Sequence, residues 1–275
     1  MPDPAPTDAL DAIGRLPDGE IDLAAAALQL ARIDAPLADW QAAGVALSEL
    51  ARAAVAALPA QAAPHARAAS LARLMVADWG FIGDREDYDN PANANLIAVL
   101  ERRRGLPVAL GILWLHAARA AGWSGHGVDF PSHFLIALED PTGLVVLDPF
   151  EGGARREAED LRELLARIEG PAATLRAHHL RPAGNRAILL RLTNNLRTRR
   201  LAANDLIGAL AASRDMLRIA PGAASLWAEA GALHQRLDQL GAAVQCFRHA
   251  LALAPDGREA GRLRSLIATL GARLQ

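Results

Sequence analysis

Three neighbouring segments of the sequence decide the fold. They read Gly-Leu-Pro-Val-Ala-Leu-Gly-Ile-Leu-Trp-Leu at 105–115, Phe-Pro-Ser-His-Phe-Leu at 130–135 and Val-Leu-Asp-Pro-Phe-Glu-Gly-Gly at 146–153. Pro107 stands where a first helical residue would, because proline lacks the N–H that the first turn leaves unpaired. The apolar run that follows predicts a buried helix, which Gly122 ends.

The two later segments predict β-strands that present a histidine and an aspartate. Both lie in stretches rich in β-formers, and Pro141-Thr-Gly143 predicts a hairpin turn between them. Alternation places His133 on one face of its strand, and Asp148 follows four apolar residues at the end of the next strand. A histidine oriented by a carboxylate is the base of a cysteine–histidine–aspartate acyl-transfer site. The sequence therefore predicts the frame of such a site, in a small antiparallel sheet packed on the Pro107 helix.

The nucleophile of this site is missing from its expected place. Cys246 is the one cysteine of the chain, and it lies far along the sequence in a helical segment. Ser132 adjoins His133, but neighbouring strand residues point to opposite faces. No His-Glu-x-x-His spacing occurs, so we expect neither a metal nor a cofactor. His133 and Asp148 are then equally compatible with a structural pair and with a pocket that binds an acyl or amide group without turning it over.

The composition predicts a soluble, mostly helical protein. The chain has 275 residues, of which 52% are apolar and 4% aromatic. Its formal charge of −2 gives no reason to expect nucleic acid or an anionic membrane as a partner. The proline-rich start lacks the pattern of a signal peptide, and the apolar run at 106–115 is too short to span a bilayer. We expect a cytoplasmic protein with protein or peptide partners, and the sequence leaves its oligomeric state open.

The distribution of proline, glycine and apolar residues along the chain predicts three parts. Residues 1–18 hold several prolines and little apolar periodicity, which indicates a flexible N-terminal arm. Residues 19–170 combine helical patterns with the predicted sheet and form one α+β domain. A looser stretch rich in glycine and proline precedes residues 186–275, which return to helical patterns.

The last part carries an internal repeat. Pro221 and Pro255 are spaced by the 34 residues of a tetratricopeptide unit. In the second unit, the small and aromatic positions at which two helices cross closely are occupied as the repeat requires, by Trp227, Gly231, Ala243, Phe247 and Ala250. The earlier unit matches less well, because Ser213 and Met216 replace its usual aromatic and small residues.

Taken together, the motifs resemble the SirB-type bacterial proteins, which carry a transglutaminase-like core followed by tetratricopeptide repeats. The resemblance covers roughly residues 80–155 and departs at Ser132, where that family usually has glycine. It implies a papain-like α+β core with a small antiparallel sheet, mostly helical overall, followed by α-α repeats. In catalytic relatives the nucleophilic cysteine opens the central helix, a place that falls on Pro107 or within one residue of it. The resemblance therefore implies a pseudoenzyme that has kept His133 and Asp148.

We expect a non-catalytic protein-interaction or regulatory module. Candidate binding residues are Arg104, His133, Asp148, Arg197 and Arg200. Arg104 ends a run of three arginines that suits an acidic partner or a solvated helix end. Arg197 and Arg200 suit a repeat groove or the polar face of a helix. The competing hypothesis is an acyl-transfer or amide-hydrolysing enzyme in which His133 and Asp148 act with water or another nucleophile.

Overall fold

The computed structural model describes residues 5–58, 63–140 and 143–274. It falls into two compact units. The larger unit is Pro17–Leu189, and the smaller unit joins the described residues 5–16 to residues 190–274.

The larger unit is built mainly from helices. Their bounds are α2 Leu23–Asp34, α3 Trp40–Ala57, α4 Pro64–Ala72, α5 Leu96–Arg102, α6 Pro107–Ala120 and α7 Ala158–Glu169. Side-chain caps fix three of the starts. Asp22 accepts from the N–H of Ala25 at 3.0 Å, and Asp39 does the same for α3. Asn95 accepts from two N–H groups at the start of α5.

Short strands complete the larger unit. They are β1 Ile82–Gly83, β2 Arg104–Gly105, β3 Ser124–Val128, β4 Leu135–Asp140, β5 Gly143–Asp148, β6 Ala154–Arg155 and β7 Pro182–Ala183. The last five form one antiparallel sheet in the order β6-β5-β4-β3-β7, and β1 pairs with β2 in parallel. The predicted α+β fold, mostly helical with a small antiparallel sheet, is confirmed.

Helix α6 is the centre of this unit. Its residues 107–115 are apolar on all sides and buried, as a helical stretch of that pattern must be. The turn that follows Asp148 packs directly on it. A Cβ built on Gly153 would lie 2.2 Å from Cη2 of Trp114, and the φ of Gly153 is +80°. Only glycine fits this approach, so Gly153, the second glycine of the third motif, serves the packing of the sheet on the helix.

The smaller unit is helical throughout its described residues. It contains α1 Pro6–Arg15, the part of α8 (Asn185–Ala202) from residue 190, α9 Leu206–Ile219, α10 Ala224–Arg236, α11 Leu240–Leu253 and α12 Ala260–Ala272. Helices α9 to α12 pack on one another in sequence order. Gly231 faces the ring of Phe247 closely, as the repeat pattern predicted.

The flexible arm expected at residues 1–18 is wrong for residues 6–15, which form α1. Leu10 is fully buried, and α1 packs on α9. Asp11 receives an ion-pair hydrogen bond of 2.6 Å from Arg218. The docking surface for α1 lies some two hundred residues further along the chain.

The structure corrects the expected position of His133, and it describes only part of the predicted hairpin turn. His133 does not lie within a strand; it sits in a bend, and β4 begins two residues later. Ser132 before it has a φ of +51°, a left-handed conformation that breaks the extended chain. The hairpin turn predicted at 141–143 lies outside the described residues except for Gly143.

Candidate functional site

The structure brings His133 and Asp148 together. Asp148 ends β5, and its carboxylate is buried, with only 1% of the side chain exposed. Nε2 of His133 lies 2.9 Å from Oδ2 of Asp148, and 19% of the histidine side chain remains exposed. The antiparallel pairing of β4 with β5 accounts for the meeting, because Ile136 stands opposite Leu147. A solvent-reachable imidazole is thus held by a buried carboxylate.

A third residue, Arg156, completes the arrangement and was missed from the sequence. Its Nη2 and Nε donate to the same Oδ2 of Asp148, at 2.7 and 3.2 Å. Strand β6 folds back along β5 with Ala154 opposite Asp148, which returns the chain to the carboxylate. The two arginines after the glycine pair were a visible signal. Only the pairing of β6 with β5 shows which of them reaches Asp148.

The other oxygen of Asp148 binds the backbone. Oδ1 accepts from the N–H groups of Phe150 and Glu151, at 3.2 and 3.3 Å. Burial by itself would raise the pKa of this carboxyl, but the hydrogen bonds and charges of His133 and Arg156 outweigh burial. They hold the pKa below its usual 3.8. Asp148 is therefore an ionised carboxylate whose hydrogen-bonding capacity is largely used inside the protein.

The loop before α5 packs beside this turn. Tyr88 meets Phe150 edge to face with ring centroids 5.7 Å apart, and Arg85 forms an ion pair with Glu151. A Cβ on Gly83 would lie 2.6 Å from the ring of Phe150. This polar loop is thereby an ordered support for the turn that follows Asp148.

A second buried carboxylate holds that loop. Asp84 accepts from Nη2 of Arg102 at 3.0 Å and from the N–H of Asp87 at 3.1 Å. Arg102 also donates to Asn93. Burial alone would raise the pKa of Asp84, but hydrogen bonds from Asp87, Asn93 and Arg102 lower it below its usual value. This network is structural in character, since each of its polar groups is paired within the loop and α5.

Pro107 is the first residue of α6 and is buried. Leu106 before it and Val108 after it are 1% and 2% exposed. The place where the resemblance puts a nucleophile, allowing for one residue on either side, therefore holds three apolar side chains. None of them has an atom that attacks a carbonyl group.

The three arginines proposed for binding are each held by groups of the protein itself. Arg104, in β2, donates to Glu86 at 2.6 Å. Arg197, on α8, donates to Asn194 and forms an ion pair with Glu229. Arg200 donates to the carbonyl oxygen of Gly208 at 2.9 Å. Each guanidinium thus has an intramolecular partner.

Residues 5–58, 63–140 and 143–274 contain no group of three or more His, Cys, Asp or Glu side chains placed to hold a metal ion. In the same residues, we found no helix with both the length and the apolar character that crossing a membrane requires.

Comparison with known proteins gives the class that this fold and site define. A family model described as the transglutaminase-like superfamily matches residues 41–194, and a tetratricopeptide repeat model matches residues 196–268. The first match covers more than half of the sequence. The chain belongs to the transglutaminase-like superfamily and carries tetratricopeptide repeats after that domain.

Its relatives include bacterial proteins named UPF0162 protein. One from Xylella fastidiosa is 30% identical over 205 residues, which is 74% of this chain and 73% of the relative. One from Pseudomonas aeruginosa is 37% identical over 218 residues, or 79% of each chain. One from Vibrio cholerae is 34% identical over 173 residues, or 62% of this chain and 63% of the relative. None of these three names states an activity.

Proposed function

We propose that this chain is a non-catalytic, SirB-type member of its superfamily that acts in the cytoplasm as a protein-interaction or regulatory module. The observation that carries the proposal is the start of α6. Leu106, Pro107 and Val108 are buried and apolar where catalytic relatives are expected to present a thiol. A transglutaminase-like reaction needs a nucleophile at that place, and proline cannot supply one.

Arg156 supports the same conclusion. In a cysteine–histidine–aspartate site, the carboxylate stabilises the imidazolium that forms when the histidine takes a proton. Here Oδ2 of Asp148 already binds two nitrogens of a guanidinium besides the imidazole. The positive charge of Arg156 compensates much of the carboxylate charge. Asp148 is therefore less able to stabilise the imidazolium that proton transfer to His133 would form. The three side chains suit a fixed structural unit or a recognition pocket better than proton transfer.

The repeats supply the second support. Tetratricopeptide arrays stack helix pairs into extended surfaces that bind peptides, and residues 196–268 match that class. The transglutaminase-like domain would then add recognition through the exposed edge of His133. An acyl or amide group, such as a peptide terminus, has the hydrogen-bonding groups that this edge can meet.

The competing enzyme reading is favoured by one observation. His133 is held by a buried carboxylate at 2.9 Å through Nε2, and among the described residues Nδ1 has no hydrogen-bond partner. A base in this position could activate a water molecule. That reaction would cleave an amide or acyl bond without a covalent intermediate on the protein.

A capture experiment separates these readings. Wild-type chain, His133→Ala and the matched control His178→Ala, which changes an exposed histidine, would be incubated with bacterial lysate. Bound proteins are identified by mass spectrometry, and their masses are compared with those of unbound copies. Unmodified partners retained by the wild type and the control support the proposal. A covalent change that requires His133 contradicts it, and so does the absence of any specific partner.

A second experiment tests whether the frame of the old site persists. Pro107→Cys is made with Cys246→Ala, so that the new thiol is the only one in the protein. If position 107 faces the imidazole of His133, the thiol introduced there should have a lowered pKa. The pH dependence of its alkylation rate should then give a lower thiol pKa than in the same protein carrying His133→Ala. Equal thiol pKa values in the two proteins would mean that position 107 does not face the imidazole.

A further inference from the structure

A cleft of about 480 Å³ lies within the smaller unit, between α1, α9, α10 and α11. This volume falls in the range of about 300–1,000 Å³ that ligand sites usually have. Its wall is largely apolar and includes Leu217, Pro221, Trp227, Ala230 and Cys246. The indole N–H of Trp227 donates to the carbonyl oxygen of Pro221 at 2.8 Å, which fixes the ring in the wall.

One side of the cleft is formed by α1, a helix outside the repeats. Gly14 brings α1 against α9, since a Cβ there would lie 2.1 Å from the carbonyl oxygen of Arg218. The ion pair of Asp11 with Arg218 fastens the same contact. The cleft is therefore a feature of this chain, made by its N-terminal helix, and not a property of the repeat pattern alone.

The polar rim of the cleft is basic. Arg15 and Arg214 line it and are exposed, and neither has an intramolecular partner among the described residues. Arg218 is occupied by Asp11. Burial raises the pKa of the Cys246 thiol and the charge of Arg214 opposes that rise, so this guanidinium acts on the interior of the cleft. Two uncompensated positive charges thus stand beside an apolar wall.

We propose that this cleft docks a short segment of a partner protein that combines acidic with apolar side chains. The apolar groups would pack against Trp227 and Leu217, and carboxylates would pair with Arg15 and Arg214. Guanidinium groups suit this role because they bind carboxylates through two parallel hydrogen bonds. The inference rests on the proposed interaction function and specifies which kinds of side chain the partner segment carries.

Cys246 provides the test, because it lines the cleft and is the one cysteine of the sequence. The probe is a short fluorescein-labelled peptide in which glutamate alternates with leucine and phenylalanine. Matched peptides replace the glutamates by lysine or the apolar residues by serine. Only the first peptide should slow the alkylation of Cys246 in the full chain. At a concentration about ten times its Kd, the rate should fall by about tenfold.

Variants test the basic rim. Arg15→Glu combined with Arg214→Glu should weaken binding of the acidic peptide by about tenfold or more, measured by fluorescence anisotropy. Arg248→Glu, which changes an exposed arginine of α11 outside the cleft, should leave the affinity unchanged. All three substitutions are on exposed side chains, and circular dichroism would verify that the helices remain.

Several outcomes would overturn the inference. Peptide binding that leaves Cys246 unprotected, or that the double variant retains, would place docking elsewhere. Protection that rises with protein concentration alone would assign the cleft to a second copy of the chain. These outcomes are distinguishable from failure of the proposed function. Captured partners would still bind the chain in these cases, whereas no partner would be captured if the interaction role itself were wrong.

Discussion

Arg156→Leu is the substitution that most directly tests the physical account of the His133–Asp148 site. The change removes both guanidinium bonds to Oδ2 of Asp148, at 2.7 and 3.2 Å, and keeps an apolar side chain of useful size. The carboxylate stays buried at 1% exposure with one fewer charge partner. A structural role predicts a loss of stability, with no requirement for any bound molecule.

The expected size follows from the contacts that remain. Removing one partner of a buried ion pair costs about 3–5 kcal/mol, because an uncompensated charge is left behind. Asp148 keeps His133 and two backbone N–H groups, and Arg156 itself is 22% exposed. We therefore expect a loss slightly smaller than that range, about 2–3 kcal/mol at neutral pH. Arg155→Leu is the control, since the ion-pair partner of Arg155 is the exposed Glu157, and it should cost less than about 1 kcal/mol.

The pH dependence has a definite sign. The pKa of Asp148 in the folded protein lies below 3.8, so its charged form stabilises the fold above that value. This stabilisation is lost as the pH falls through the folded pKa. Without Arg156 one cause of the lowered pKa is gone, and burial then favours the protonated form. The gap in unfolding free energy between wild type and Arg156→Leu should therefore narrow as the pH falls below about 4, toward the lowered pKa of Asp148 in the wild type.

Urea unfolding followed by tryptophan fluorescence measures this gap. Trp227 is the one tryptophan of the sequence outside the larger unit, so a Trp227→Phe background confines the signal to the unit that holds Asp148. A loss no larger than that of Arg155→Leu would refute the argument that Asp148 depends on the arginine. A gap that stays constant with pH would refute the argument that its charge is the cause.

Two further substitutions test the packing and the capping. Gly231→Ala should destabilise the repeats by about 1–3 kcal/mol, because the new Cβ would lie 2.5 Å from the ring of Phe247. Gly241→Ala, where no atom lies within 4 Å, should be neutral or slightly stabilising; thermal unfolding compares the two, and equal effects would contradict the close crossing. Asn95→Ala should cost about 1–2 kcal/mol in urea unfolding, since Asn95 caps α5 and also donates to the carbonyl oxygen of Ala31. A change below about 0.5 kcal/mol would mean that water replaces the cap.

The candidate site shows where reading from sequence succeeds. His133 and Asp148 were paired correctly because they lie near one end of a single hairpin, and adjacent strands usually pair. The bend at His133 was not anticipated, since it depends on the left-handed φ of Ser132. Arg156 was missed because a two-residue strand, β6, carries no alternation that a sequence pattern can reveal.

The sequence by itself determined the features that short-range periodicity encodes. A helix that is apolar on every side must be buried, and the spacing of Trp227, Gly231 and Phe247 permits the close helix crossing of a repeat. Only the tertiary structure decided that Arg156 reaches Asp148 and that α1 docks on α9 to form a cleft. The physical reason is that these contacts join segments whose own patterns are short. Each contact becomes favourable only after the rest of the fold has brought its two partners together.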